Sequence, residues 1–152
     1  MRWWKRKHKC MMQEPERYIP PAPPDPPQLA IRDNHWTVVD ATILLRIGFA
    51  ARASARLVQE CQTYDKRIRV ERLENEQVME SGDGKAVMDV LMLGLQQGMS
   101  VRLWVEGTDA AAQRMAKRIY GGFVSRHLDE IDFERFDPES ERADDEENIS
   151  RT

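Results

Sequence analysis

The chain has 152 residues, a formal net charge of −3 and 41% hydrophobic residues, enough for one modest core and too little for several domains. Charge is segregated: residues 1–9 carry Arg2, Lys5, Arg6, Lys7 and Lys9 with no acid, residues 34–128 carry 13 Lys+Arg against 11 Asp+Glu, and residues 129–147 carry eleven acids against Arg135 and Arg142. The near-neutral middle lacks the basic excess of a nucleic-acid-binding domain, and no apolar run of about 20 residues is present to span a membrane. Cys10 and Cys61 fit reduced thiols in a cytosolic protein better than a disulfide framework.

Residues 1–33 read as a basic, Pro-rich, disordered arm. Seven prolines fall between Pro15 and Pro27. Proline fixes φ and has no N–H, so this stretch reads as extended polyproline II, a linker or a ligand for aromatic grooves. In "MRWWKRKHKCMM", Trp3 and Trp4 beside cations fit a weak contact with a membrane surface; a plain tail, or a start at Met11 or Met12, is the simpler reading.

The folded domain is expected over residues 34–128. "TVVDATILL" (37–45) is β-branched and apolar, hence a strand. Ala51, Ser54, Leu57, Val58 and Cys61 recur at helical spacing. "KRIRVERL" places Ile68 and Val70 on one face and Arg67, Arg69 and Glu71 on the other, the pattern of a strand with one wet face. "EQVME" (76–80) reads as a short partner strand and "SGDG" (81–84) as a turn. "KAVMDVLMLGL" (85–95) is a short helix, apolar nearly all round. "SVRLWVE" (100–106) alternates, with Val101, Leu103 and Val105 inward and Trp104 outward. Thr108 and Asp109 are cap candidates for a last helix that turns Ala112, Met115 or Ala116, and Ile119 to one face. Residues 129–152 read as an acidic disordered tail. The order βαββαβα makes an α+β two-layer open-faced sandwich: a four-stranded, mainly antiparallel sheet with three helices on one face.

Two stretches carry a family resemblance. "IGFAARASARLV" (47–58) is similar to the Gly-Leu-His-Thr-Arg-Pro-Ala motif of the HPr phosphocarriers of the bacterial sugar phosphotransferase system (PTS). "LGLQQGMSVRLWVEGTDAAAQ" (93–113) resembles that family's helix exit, glycine turn, fourth strand and Glu-Gly start of the last helix. The resemblance covers about residues 37–127, with a segment at Leu73–Gly84 that is about five residues longer than usual. In the family, the motif histidine takes a phosphoryl group from phosphoenolpyruvate through Enzyme I and passes it to sugar-specific components. The matching position here is Ala50. The family's regulatory serine, at the start of the short second helix, is matched by Ala86, the motif arginine by Arg52 and the motif proline by Ala53.

What the resemblance implies is therefore a degenerate member: not an enzyme, and a binding module rather than a carrier. N–H groups near Ala51, Arg52 and Ala53 would favour an anion at the helix start. Phe49, Arg52, Val87, Met88 and Leu91 match a partner-binding surface for Enzyme I-like or other HPr-binding proteins. Trp104 is either a partner anchor or covered by the arm. Ser54 is a small residue facing a neighbour. Among the histidines, His127 is the one placed by the resemblance near Arg52, so it is the candidate for a relocated phosphoryl acceptor; His8 and His35 are remote. "SGDGK" lacks the Walker spacing. No Cys/His pattern has metal spacing, and no cofactor is called for. The remaining alternative is a structural protein that acts through its charged tails.

Overall fold

The computed structural model describes residues 21–137. Trp3, Trp4, His8, Cys10 and the acids beyond Asp137 lie outside the described residues.

Strands β1 (Ala30–Arg32), β2 (Trp36–Thr42), β3 (Ile68–Glu74), β4 (Gln77–Asp83) and β5 (Ser100–Glu106) alternate with helices α1 (Ala51–Cys61), α2 (Val87–Met92) and α3 (Ala110–Phe123). The sheet order is β1-β2-β5-β3-β4, and every neighbouring pair is antiparallel. Two β–α–β units therefore interlock: β2-α1-β3 straddles β5, and β4-α2-β5 straddles β3. Val39, Ala41, Ile68, Val70, Val101, Leu103 and Val105 join Leu57 and Val58 of α1 and Ile119 and Phe123 of α3 in one buried core. The period-2 alternation of the strands and the helical stripes meet across a single interface.

The α+β sandwich with three helices is as expected, but the sheet has five strands. Ala30–Arg32, assigned to the arm, pairs with β2 through Ala30↔Val38, Ile31↔Thr37 and Arg32↔Trp36. Asp33 and Asn34 take φ of 55° and 51° in the connecting turn, a conformation that Asp and Asn tolerate. Upstream, the Tyr120 hydroxyl donates to the Asp25 carbonyl at 2.8 Å. The expected start at residue 34 thus falls inside a hairpin.

The expected end at 128 also moves. Ile131 and Asp137 are buried, and Phe133 and Phe136 pack against the core. The acidic composition of this segment is outweighed by three apolar anchors and by the arginines that meet Asp137. The expected turn at Ser81–Gly84 lies largely within β4; the β3–β4 hairpin turns at Asn75 and Glu76, with φ of 52° and 66°. Two left-handed residues in a two-residue loop match the twist of the strands they join.

On the open face of the sheet, Trp104 is half-buried by its own neighbours. It meets Trp36 edge to face at 6.1 Å between centroids, and its Nε1 donates to the Glu71 carboxylate. Cross-strand and diagonal contacts supply the cover that the sequence left to the arm or to a partner.

Candidate functional site

The loop 46–50 is pinned from both sides. Gly48 takes φ 69°, and a Cβ there would meet the Leu95 carbonyl at 2.6 Å, so only glycine fits. The Phe49 N–H donates to that same carbonyl at 2.8 Å, and the Ser54 hydroxyl donates to the Phe49 carbonyl at 2.8 Å. Ser54 is thus the residue that ties the first turn of α1 to the loop.

This pinning turns Phe49 inward. Its side chain is buried and meets Phe123 edge to face at 5.8 Å. The expectation that Phe49 faces a partner is overturned, because its backbone is bonded to Leu95 and its ring completes the core between α1 and α3. Ile47, two residues earlier, is the exposed apolar residue of the loop at 64%.

Ala50 is the N-cap of α1, extended at φ −74°, exposed, and without a side-chain hydrogen bond. No acid stands in the first turn. Ala51 and Arg52 are exposed, while the Ala53 methyl is buried. The first-turn N–H groups point out of the helix start, where the dipole favours negative charge. Arg52 Nη2 stands 4.0 Å from Asp129 Oδ1. Ala86 is the N-cap of α2, again with no side-chain bond; Asp89, in the first turn, accepts from the Asp83 N–H at 2.9 Å.

Helix α2 turns Val90 into the core and leaves Met88 and Met92 66% and 71% exposed, with Val87 at the margin and Leu91 half-buried. A short helix over a two-layer core has one face to bury, so the remaining apolar residues reach water. Gly48 and Phe49 abut Leu95, which lies three residues beyond the end of α2. Ile47, Arg52, Val87, Met88 and Met92 are all exposed, on the loop, at the start of α1 and on α2, and α1 packs against α2. Ile47 and Met92 were missed from sequence: nothing local distinguishes Ile47 from Phe49, and in "VMDVLM" the single polar residue, Asp89, does not decide which of the apolar side chains stay exposed.

His127 is exposed at the start of a single 3-10 turn, Leu128–Glu130. The Arg46 N–H donates to the Arg126 carbonyl at 3.1 Å, and Asp129 lies by Arg52, so His127 runs alongside the start of α1. Cys61 is buried, and burial pushes its thiol well above the usual range, so it is no nucleophile. Among the described residues, no group of three His, Cys, Asp or Glu is placed to hold a metal, and no helix is long and apolar enough to cross a membrane.

Residues 39–119 match the family model described as the PTS HPr component phosphorylation site. Similar solved structures include the histidine-containing phosphocarrier protein of a mycoplasma, 24% identical over 54% of this chain and 89% of that one, with a TM-score of 0.45. A phosphocarrier protein HPr from Bacillus anthracis str. Ames is 24% identical over 53% and 93%, with a TM-score of 0.44. HPr-C-His from Thermoanaerobacter tengcongensis is 24% identical over 55% and 94%, with a TM-score of 0.41. No curated protein matches.

Proposed function

The chain belongs to the PTS HPr family, and from that premise we propose that it is a regulatory or adaptor module: it docks partners of the family without carrying the phosphoryl group itself. The observation that carries this reading is the pair of alanine N-caps. Ala50 and Ala86 stand where the resemblance places the phosphoryl-accepting histidine and the regulatory serine, and a methyl group accepts no phosphoryl group. Around them the docking features persist. Arg52 is exposed at the helix start, and Ile47, Val87, Met88 and Met92 are exposed apolar side chains, of which the flexible methionines can fit more than one partner.

The partner is a protein of the Enzyme I kind or another HPr-binding protein, and binding is independent of phosphoenolpyruvate. Intact mass after incubation with phosphoenolpyruvate and Enzyme I, under conditions that preserve phosphohistidine, tests the first half. The chain is expected to gain no phosphate while an ordinary HPr in the same tube is labelled. Capture of Enzyme I by the wild type and by Met88→Asp/Met92→Asp tests the second half. Equal capture by both proteins would sink the docking reading.

A second reading has one observation in its favour. His127 is exposed beside the start of α1, so a relocated acceptor has a candidate. A gain of one phosphate that disappears in His127→Ala would establish it.

A further inference from the structure

Residues 22–27 repeat a pattern with a period of three. Ala22 and Pro23 are exposed and Pro24 is half-buried; Asp25 and Pro26 are exposed and Pro27 is half-buried. The residue types account for it. Pro23, Pro24, Pro26 and Pro27 hold φ at about −65°. Ala22, Pro23, Asp25 and Pro26 each precede a proline, which keeps them out of the α region. What is left is a polyproline II helix of three residues per turn, with one edge laid on the domain and two edges in water. From Pro27 on, the half-buried residues follow at a spacing of two, Pro27 and then Leu29, as the chain passes into β1.

This short helix is held from outside. Polyproline II has no hydrogen bonds of its own, which leaves its carbonyls to other partners. The Tyr120 hydroxyl donates to the Asp25 carbonyl at 2.8 Å, at the middle of the stretch. Beyond it, Leu29 packs against the core and Ala30–Arg32 pair with β2. The inward edge, Pro24 and Pro27, is therefore taken by the domain itself. Pro23 and Pro26 remain outside, one turn apart, each with an exposed residue before it.

We propose that this ridge is a docking site for a protein module with an aromatic-lined groove, of the kind that SH3 and WW domains carry. Such grooves take Pro-x-x-Pro segments in the polyproline II form, and Pro23 and Pro26 have that spacing on the exposed side. A linker of the same composition would have to be ordered by its partner. Here Tyr120 and β1 have already ordered it, which lowers the cost of binding. Asp25 is the one charged residue among residues 21–28, and its carboxylate makes no hydrogen bond or ion pair among the described residues. The groove that fits therefore carries a cation beside its aromatic rings. The ridge lies on a different element from the apolar residues of α2 and takes a different class of partner.

Isolated SH3 and WW domains, each with a lysine or arginine bordering the aromatic groove, are the probes. They are titrated into the full-length chain, followed by 1H–15N spectroscopy. At least one is expected to bind and to shift the amides of Ala22, Asp25 and Gln28, while those of residues 87–92 stay in place. Pro23→Ala/Pro26→Ala, on the outward side, is expected to weaken binding about tenfold or more. Pro24→Ala/Pro27→Ala removes as many prolines from the inward edge and is expected to cost less. Tyr120→Phe deletes only the hydroxyl that holds Asp25 and is expected to weaken binding about two- to tenfold. No binding by either probe, equal losses in the two double variants, or a Tyr120→Phe protein that binds like the wild type would each overturn the proposal. None of these results bears on capture through Met88 and Met92, so the docking reading stands or falls separately.

Discussion

Asp137 receives the Arg118 guanidinium at 2.6 Å, joining the end of the described chain to the middle of α3. Arg118 also donates to Glu60 of α1, and Arg114 reaches Asp137 from one turn earlier. Asp137 is 5% exposed. One buried carboxylate thus locks the C-terminal segment onto α3, whose Arg118 is in turn tied to α1 through Glu60. Removing one partner of a buried pair leaves the other uncompensated. Asp137→Ala is expected to lose about 3 kcal/mol of stability by urea denaturation, and a chain stopped at Leu128 is expected to lose more, because Ile131 goes with it. A chain ending at 128 that melts like the wild type would show the segment to be dispensable.

Phe49 and Met88 provide an internal contrast. Phe49→Ala is expected to cost about 3–5 kcal/mol, the range for a large side chain removed from a core. Met88→Ala should stay within about 0.5 kcal/mol. Urea melts of the two variants decide it, and similar losses would mean that the loop is wrongly oriented.

Gly48 carries the loop. Alanine there must hold φ near 69° with its methyl 2.6 Å from the Leu95 carbonyl. Gly48→Ala is expected to lose about 2 kcal/mol and to shift the amide resonances of Phe49 and Leu95. A neutral substitution would show that the turn relaxes freely.

Glu106 gives a pH dependence. Its carboxylate accepts from Arg67 Nη2 at 2.7 Å and meets His35 Nε2 at 3.0 Å. Arg67 first, and His35 second, hold it at about 2, down from 4.5. A depressed carboxylate contributes stability above its unfolded value and loses it as the pH falls through the folded one. The wild type is therefore expected to lose thermal stability between about pH 4.5 and 2 more steeply than Glu106→Gln. Parallel melting curves over that window would show that the pairing adds nothing.

Much of the fold is legible in local pattern. The alternation in "SVRLWVE", the stripe from Ala51 to Cys61 and the cap at Asp109, which accepts from the Ala112 N–H at 3.0 Å, each depend on neighbours a few residues away. The start of the candidate site was legible too, because a glycine before a small-residue helix start limits what the backbone can do. Which way the loop faces was not. Phe49 and Ile47 are both bulky and apolar, and the choice between them is made by Leu95 and Phe123, far along the chain.

By itself, then, the sequence determined the helices and strands of the middle of the chain, the two alanine caps and the segregation of charge. All of these follow from short-range periodicity and side-chain chemistry. Only the tertiary structure decided that three residues of the arm join the sheet, that an acidic segment folds back onto α3, and that Asp129 meets Arg52. A three-residue strand has no period to detect. An acidic segment reads as solvated until arginines from other elements surround it, and no local pattern shows where those arginines will stand.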